Sequence, residues 1–196
     1  MTATNILEVD DAFLWLTRHS GEGPVFASLS GHDEMGLDIP GWIEWFGACV
    51  RLCAAHSSGP VVFAQTDRKG GGRWLPKDAL VLDALDLTDH PLLWHKIILR
   101  RDAGKVDIHR PTYRHLLAFG PARPGKATPD VIPASGRSWS HGLEYAAADL
   151  VVTWFNEVAP TGPILNPFCG AGTVGDAAVR QGRDSIGCDL EDRWSS

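Results

Sequence analysis

Cysteine is scarce in this sequence: four residues in 196, at positions 49, 53, 169 and 188. Their spacing is not the paired spacing of a disulfide or zinc framework, which points to a reducing compartment and to no metal site. There is no apolar run of membrane length and no signal-peptide pattern, so a soluble, cytoplasmic protein with no membrane partner is expected. Internal repeats and low-complexity tracts are also missing, which argues against a solenoid or a disordered linker. Nor is there an excess of positive charge: the chain carries a net −6. That balance alone argues against a nucleic-acid binder, but its distribution does not. From Lys96 to Arg137 there are nine Lys or Arg against three Asp, a net +6, so the remainder sums to −12. Polarity of this kind steers a polyanion to one face, or it describes an ordinary solvated loop surface.

The apolar share of 44% and charged share of 21% are those of a globular protein, and the length suits a single domain with a substantial core. Its most informative stretch lies late, from Gly162 to Gly175 and on to Asp189. Ile164 and Leu165 read as a short buried strand that Pro167 stops, because proline has no N–H for the ladder. Gly170 and Gly172 allow a tight turn. Thr173 to Gln181 reads as a helix closed by Gly182, and Ser185 to Asp189 as a second strand ending in an acid. Strand, glycine turn, helix and acid-tipped strand form half of a nucleotide-binding sheet, with the carboxylate of Asp189 placed for ribose hydroxyls. Gly170-Ala-Gly172-Thr-Val-Gly175 also fits the dinucleotide pattern G-x-G-x-x-G, with Asp189 nineteen residues on. A dinucleotide oxidoreductase therefore stays open as an alternative, although only seven residues follow Asp189 to supply its remaining strands.

Upstream, Ile6 to Ala12 begins as a strand and Ala12 to Thr17 continues as a helix. Pro24 to Ser28 and Pro60 to Gln65 read as strands. Asp38 is placed to cap a helix running to about Ala55, with Trp42, Trp45, Phe46, Cys49, Val50 and Cys53 at helical spacing. Those two cysteines lie on the apolar stripe and read as core. Gly70 to Gly72 reads as a loop, Lys77 to Leu87 as a helix, and Leu92–Leu99 with Tyr113–Phe119 as a strand pair. Residues 120–140 are rich in Pro, Gly and Ser and read as an exposed loop, and Leu143 to Val158 reads as an amphipathic helix. Strands alternating with helices argue an α/β sheet with helices on both faces.

Asn166-Pro-Phe-Cys-Gly-Ala-Gly-Thr173 resembles the Asp-Pro-Phe-x-Gly-Ser-Gly-Thr motif of the S-adenosylmethionine-dependent amino-methyltransferases of DNA, with Asn166 in place of the usual Asp. In the beta group of that family the catalytic half precedes the cofactor half. The resemblance covers nearly the whole chain and implies a circularly permuted Rossmann-like methyltransferase domain. Residues 1–119 would be its catalytic half, 120–140 a loop and 141–196 its cofactor half. It implies S-adenosylmethionine as cofactor, held by Asp11 at the adenine and by Asn166, Phe168, Gly170, Gly172, Thr173 and Asp189. The implied substrate is a base amine of nucleic acid, DNA first and RNA or tRNA second, approached through the basic segment Lys96–Arg137.

That family carries an Asp, Asn or Ser followed by Pro-Pro-aromatic at the end of its fourth strand. There the first side chain and a proline carbonyl accept hydrogen bonds from the amine, and the ring stacks on a flipped base. Here the place reads Ser28-Leu29-Ser30-Gly31. Ser28 matches the serine version and Ser30 is a second hydroxyl, but both prolines and the ring are missing, with Trp42 or Trp74 the candidate substitutes. His32, Asp33 and Glu34 follow; Asp33 either serves as a general base or, with its neighbours, caps the loop. The altered motif keeps a second function open, that of a non-catalytic subunit of a heteromeric complex that lends a basic surface to an active partner; either a homo- or a hetero-oligomer is compatible with the sequence. Gln65 to Lys69, at a strand's carboxyl end, either lines the target pocket or forms a plain turn. His95, His109 and His115 read as polar rim residues rather than ligands, and His109 to Tyr113 as a phosphate contact. Residues 120–140 are too few for a long base-reading surface, so a loosely specified target, a structured RNA or recognition by a second subunit is expected.

Overall fold

The strand before the glycine turn lies near the middle of the sheet although it comes late in the chain. The computed structural model describes residues 2–70, 73–102, 104–108, 110–121, 123–139 and 141–194, with backbone only at 69 and 70. In chain order the elements are β1 (Asn5–Val9), α1 (Ala12–Arg18), β2 (Val25–Ala27), α2 (His32–Met35), α3 (Ile39–His56), β3 (Val61–Gln65), β4 (Arg68–Gly70), β5 (Arg73–Leu75), α4 (Lys77–Ala84), β6 (Leu92–Leu99), β7 (Tyr113–Phe119), β8 (Val131–Ile132), α5 (Tyr145–Val158), β9 (Ile164–Asn166), α6 (Thr173–Arg180) and β10 (Ser185–Asp189). Eight strands form one sheet in the order β1-β10-β9-β2-β3-β7-β6-β8. The first five are mutually parallel, β7 is antiparallel to β3 and β6, and β8 runs parallel to β6.

Burial follows from this order. All five residues of β3 are buried, as in a central strand covered on both faces. Its side chains alternate between two cores: Val61 and Phe63 join α1, α3 and α4 through Trp15, Trp42, Phe46 and Val81, while Val62 and Ala64 join α5 and α6 through Val151, Phe155 and Ala177. Cys49 and Cys53 sit fully buried in the first core. Burial pushes the Cys49 thiol up to about 12, so it stays protonated and packs as an apolar group. The third glycine of the motif sits where α6 crosses β1: a Cβ on Gly175 would stand 2.1 Å from the Asn5 amide oxygen. No side chain fits there, and helix and strand pack closely because of it.

Several expectations change. Asp38 does cap α3, its Oδ1 accepting from the Gly41 N–H at 2.9 Å. His32, Asp33 and Glu34 form, with Met35, the short helix α2, with Glu34 Oε2 accepting from the Gly31 N–H at 3.3 Å. Part of the region expected as a glycine loop is the hairpin β4–β5; Gly71 and Gly72 lie outside the described residues. Residues 120–140 are not loop throughout, because Val131 and Ile132 extend the sheet alongside Ile97 and Ile98. Helix α4 ends at Ala84 rather than Leu87. Among the described residues no helix is long and apolar enough to cross a membrane.

Candidate cofactor and acceptor site

Five parallel strands end at one edge of the sheet, and their carboxyl ends open onto a cavity of about 310 Å³. Open α/β sheets bind ligands at this edge, at the point where successive crossovers leave in opposite directions. Here that point lies between β9, whose crossover helix α6 packs on one face, and β2, which leads to α3 on the other. The cavity therefore has two walls.

The first wall follows β9, β10 and β1. Gly170 sits at φ +54°, the left-handed region, and a Cβ there would lie 2.7 Å from the Trp139 ring. Its N–H donates to Asp189 Oδ2 at 3.0 Å, and Arg193 Nε donates to Oδ1 at 3.3 Å. The acid at the tip of β10 thus braces the glycine turn as well as facing the cavity. Asp11 lines the same wall and caps α1 through Oδ1, which accepts from the N–H groups of Phe13 and Leu14. Its neighbour Asp10 lines it too and is ion-paired with Arg18, which with the Asp11 N–H holds its carboxyl below the usual range. Phe168 meets Trp45 edge to face, with centroids 6.3 Å apart. Asn166 is 2% exposed and its Oδ1 finds no hydrogen-bond partner among the described residues. Thr173 is on the wall, bonded to the Ser138 hydroxyl. Gly172 is the N-cap of α6 and lies behind the wall rather than on it.

The second wall belongs to β2, β3 and the hairpin β6–β7. Ser28, Leu29, Ser30 and Gly31 line it together with Gln65, Thr66, Asp67 and Arg68. Beneath the Ser28–Gly31 loop lies Lys77, 4% exposed, whose ammonium donates to the Leu29 carbonyl at 2.6 Å and reaches the Ser30 carbonyl at 3.5 Å. It also lies over the Trp42 and Phe46 rings. Burial brings its pKa down to about 7, against the pull of Glu34. Gln65 is 1% exposed, and neither its amide nitrogen nor its oxygen has a partner among the described residues. Gln65 thus adds an unused donor and an unused acceptor to the residues that line the cavity. Arg100 and Arg114 line the wall around the buried carboxylate of Glu144, which Arg137 also approaches, at 3.7–3.9 Å in each case. Three guanidiniums around one carboxylate leave positive charge in excess. Burial and the neighbouring Arg114 and Arg137 lower the pKa of Arg100 to about 10.

Some candidates lie elsewhere. Asp33 is exposed, ion-paired with Arg68 and off the cavity wall; of its trio the residue on the wall is Glu34. Burial raises the Asp33 pKa, but Arg68 overrides this and the net shift is down. Trp42 is fully buried and Trp74 does not line the cavity, so neither replaces the missing ring. The aromatic residues on the walls are Phe13, Phe26, Trp45, Trp139 and Phe168. The basic segment is not one surface stripe: Lys96 is buried and donates to the carbonyls of Thr128 and Pro129, and Arg100 and Arg114 turn inward. Arg110 lines the cavity mouth, while its neighbour His109 lies outside the described residues. Lys77 and Glu144 had no mark in the sequence, since each acts on residues far along the chain. Asp10 had one, as the twin of Asp11.

No protein-family model and no curated protein matches this sequence. Solved structures do. A putative DNA modification methylase from Thermus thermophilus, complexed with S-adenosyl-L-methionine, superposes with a TM-score of 0.72 at 19% identity, over 98% of this chain and 90% of that one. The cytosine-N4-specific PvuII DNA methyltransferase gives 0.73 at 13% identity, over 99% and 84%. The complex of M1.HpyAVI with SAM gives 0.67 at 13% identity, over 97% and 96%. At these identities the likeness establishes architecture: the chain has the α/β fold of these DNA methyltransferases across nearly its whole length.

Proposed function

We propose that this protein is an S-adenosylmethionine-dependent methyltransferase acting on an exocyclic amine of a nucleic-acid base, DNA first and RNA second. The observation that carries it is the cavity joining the glycine turn to the Ser28–Gly31 loop. A sheet whose glycine-turn strand comes late yet sits centrally, beside β10 and then β1, fits the circular permutation of that family. The solved relatives named as DNA methyltransferases, and the two structures complexed with S-adenosylmethionine, support the same reading.

The first wall fits the cofactor's donor set. Asp10, Asp11 and Asp189 offer acceptors for ribose hydroxyls, the adenine amine and an ammonium, and the buried Asn166 Oδ1 is one polar atom awaiting a donor. Phe168 and Trp45 supply rings beside a cation. When bound, S-adenosylmethionine supplies a methyl group on a sulfonium that is already an activated leaving group. What remains for the protein is positioning and electrostatics. Ser28 Oγ accepts a hydrogen bond from the amine and helps orient its lone pair. Lys77 holds the Leu29 and Ser30 carbonyls fixed, replacing the stiffness that two prolines give the family motif. Gln65 presents a donor beside an acceptor, which matches the amine and ring nitrogen that adenine and cytosine both display. Arg100, Arg110 and Arg114 suit the phosphate of the same nucleotide.

Thermal-shift measurements with S-adenosylmethionine, its demethylated product and NADH test the cofactor first. The first two raise the melting temperature and NADH does not; the reverse assigns a dinucleotide enzyme. Labelled methyl transfer onto DNA and tRNA, with Ser28→Ala as control, tests the acceptor. Cofactor binding without transfer to either polymer would instead assign a non-catalytic subunit.

A further inference from the structure

Outside the cavity, the hairpin and helix α4 bring three side chains to one point. His95 on β6 and His115 on β7 are diagonal neighbours on the same face, because His95 pairs with Leu117 and His115 with Ile97. His95 Nε2 and His115 Nδ1 face each other at 2.9 Å. Asp78, in the first turn of α4, places Oδ2 3.7 Å from the same His115 nitrogen. The three donor atoms lie within 4.8 Å of one another. We propose that Asp78, His95 and His115 bind a divalent transition-metal cation of the zinc class, which pins α4 to the β6–β7 hairpin.

The second shell is what lifts this cluster above a chance meeting of histidines. The far nitrogen of His115, Nε2, faces Asp67 Oδ2 at 3.3 Å. Asp67 is itself held by the Lys77 N–H at 2.9 Å, Trp74 Nε1 at 3.1 Å and the Tyr113 hydroxyl at 3.4 Å. A carboxylate so fixed accepts a hydrogen bond from the Nε2–H, which keeps the proton on that nitrogen and leaves the Nδ1 lone pair directed at the cluster. That is the carboxylate–histidine–metal arrangement that orients metal-bound imidazoles. Two imidazoles with one carboxylate suit zinc and its neighbours, and leave one position open to water. With metal–nitrogen bonds of about 2.0–2.1 Å, nitrogens 2.9 Å apart subtend about 90°, and a tetrahedral angle needs them to part by only about 0.5 Å. His95 is exposed and provides an entry path, whereas His115 is buried and Asp78 half-buried. None of the three lines the cavity, so the cation does not touch the reacting groups. Asp67 does line it, so metal occupancy would stiffen the acceptor wall.

The test is independent of any methyltransferase activity. The full chain, stripped with a chelator, is titrated with Co²⁺ by visible absorption and with Zn²⁺ by calorimetry. One Co²⁺ per chain should bind with d–d bands, be displaced by Zn²⁺, and raise the melting temperature. His95→Ala and Asp78→Asn lie at the solvent edge, should keep the native circular dichroism, and should each weaken Zn²⁺ binding more than about 100-fold. Absent d–d bands in the wild-type chain, or wild-type affinity in either variant, would overturn the site and leave the pair as a plain hydrogen bond between imidazoles.

Discussion

The two walls of the cavity are built in opposite ways. The glycine-turn wall is mostly local: Asn166, Phe168, Gly170, Thr173 and Asp189 lie within one strand–turn–helix–strand unit, to which Asp10, Asp11, Trp45 and Trp139 are added from elsewhere in the chain. The acceptor wall is assembled from distant pieces: Gln65, Lys77 and Arg114 come from three separate elements and Ser28 from the loop after β2. A local wall is constrained residue by residue through its backbone. An assembled wall can lose its motif and keep its rigidity, provided that something else holds the loop. Lys77 beneath Leu29 and Ser30 does this here.

Substitutions break the comparison in graded steps. The largest effect is expected on the local wall. Gly170→Ala forces a side chain into left-handed backbone and against Trp139, costing about 2 kcal/mol or more and weakening S-adenosylmethionine about thirtyfold by calorimetry. On the assembled wall, Lys77→Met should spare cofactor binding while lowering kcat. Leaving the Leu29 carbonyl without its buried donor costs about 1–3 kcal/mol, and each 1.4 is about tenfold in rate. Gln65→Leu keeps cofactor affinity and raises KM for the nucleic acid about tenfold, since a buried polar edge then meets no partner.

The same lysine gives a pH signature. Its folded-state pKa is about 7, whereas the unfolded chain holds that proton to about 10.4. Between those values the unfolded state binds more protons, so stability rises with pH, with a limiting slope of about 1.4 kcal/mol per unit. Urea unfolding at several pH values in that window should show the rise in the wild type and a flatter line in Lys77→Met. The smallest effect belongs to Asp33→Ala. That carboxylate is exposed and off the wall, so stability moves by about 0.5 kcal/mol or less and methyl transfer hardly changes.

The contrast also explains what could be seen in advance. The order of strands and helices, the Asp38 cap and the paired hairpin were legible because hydrophobic period and capping are local signals. The strand at Val131–Ile132 was not, because two residues amid Pro, Gly and Ser carry no periodicity and gain strand form only by pairing with Ile97 and Ile98. Gln65, Thr66, Asp67 and Arg68 stood out by their place at a strand end, and they do line the cavity. Lys77 and the arginines around Glu144 could not be foreseen, because their partners stand 48 residues away in one case and up to 44 in the other. Lys96 counted as surface charge in the sequence yet spends its ammonium inside the fold.

Strand β1 has one neighbour in the sheet, and that neighbour is β10. Asn5 pairs with Ser185 and Val9 with Asp189, so β1, made well before β10, has no ladder to join until β10 has followed it. Contacts of such long sequence separation form late and slow the approach to the native state. A nascent chain lacking residues 185–189 would lack Asp189 and leave Asp10 without its strand partner, and that end of the cavity would form only after β10 has been made.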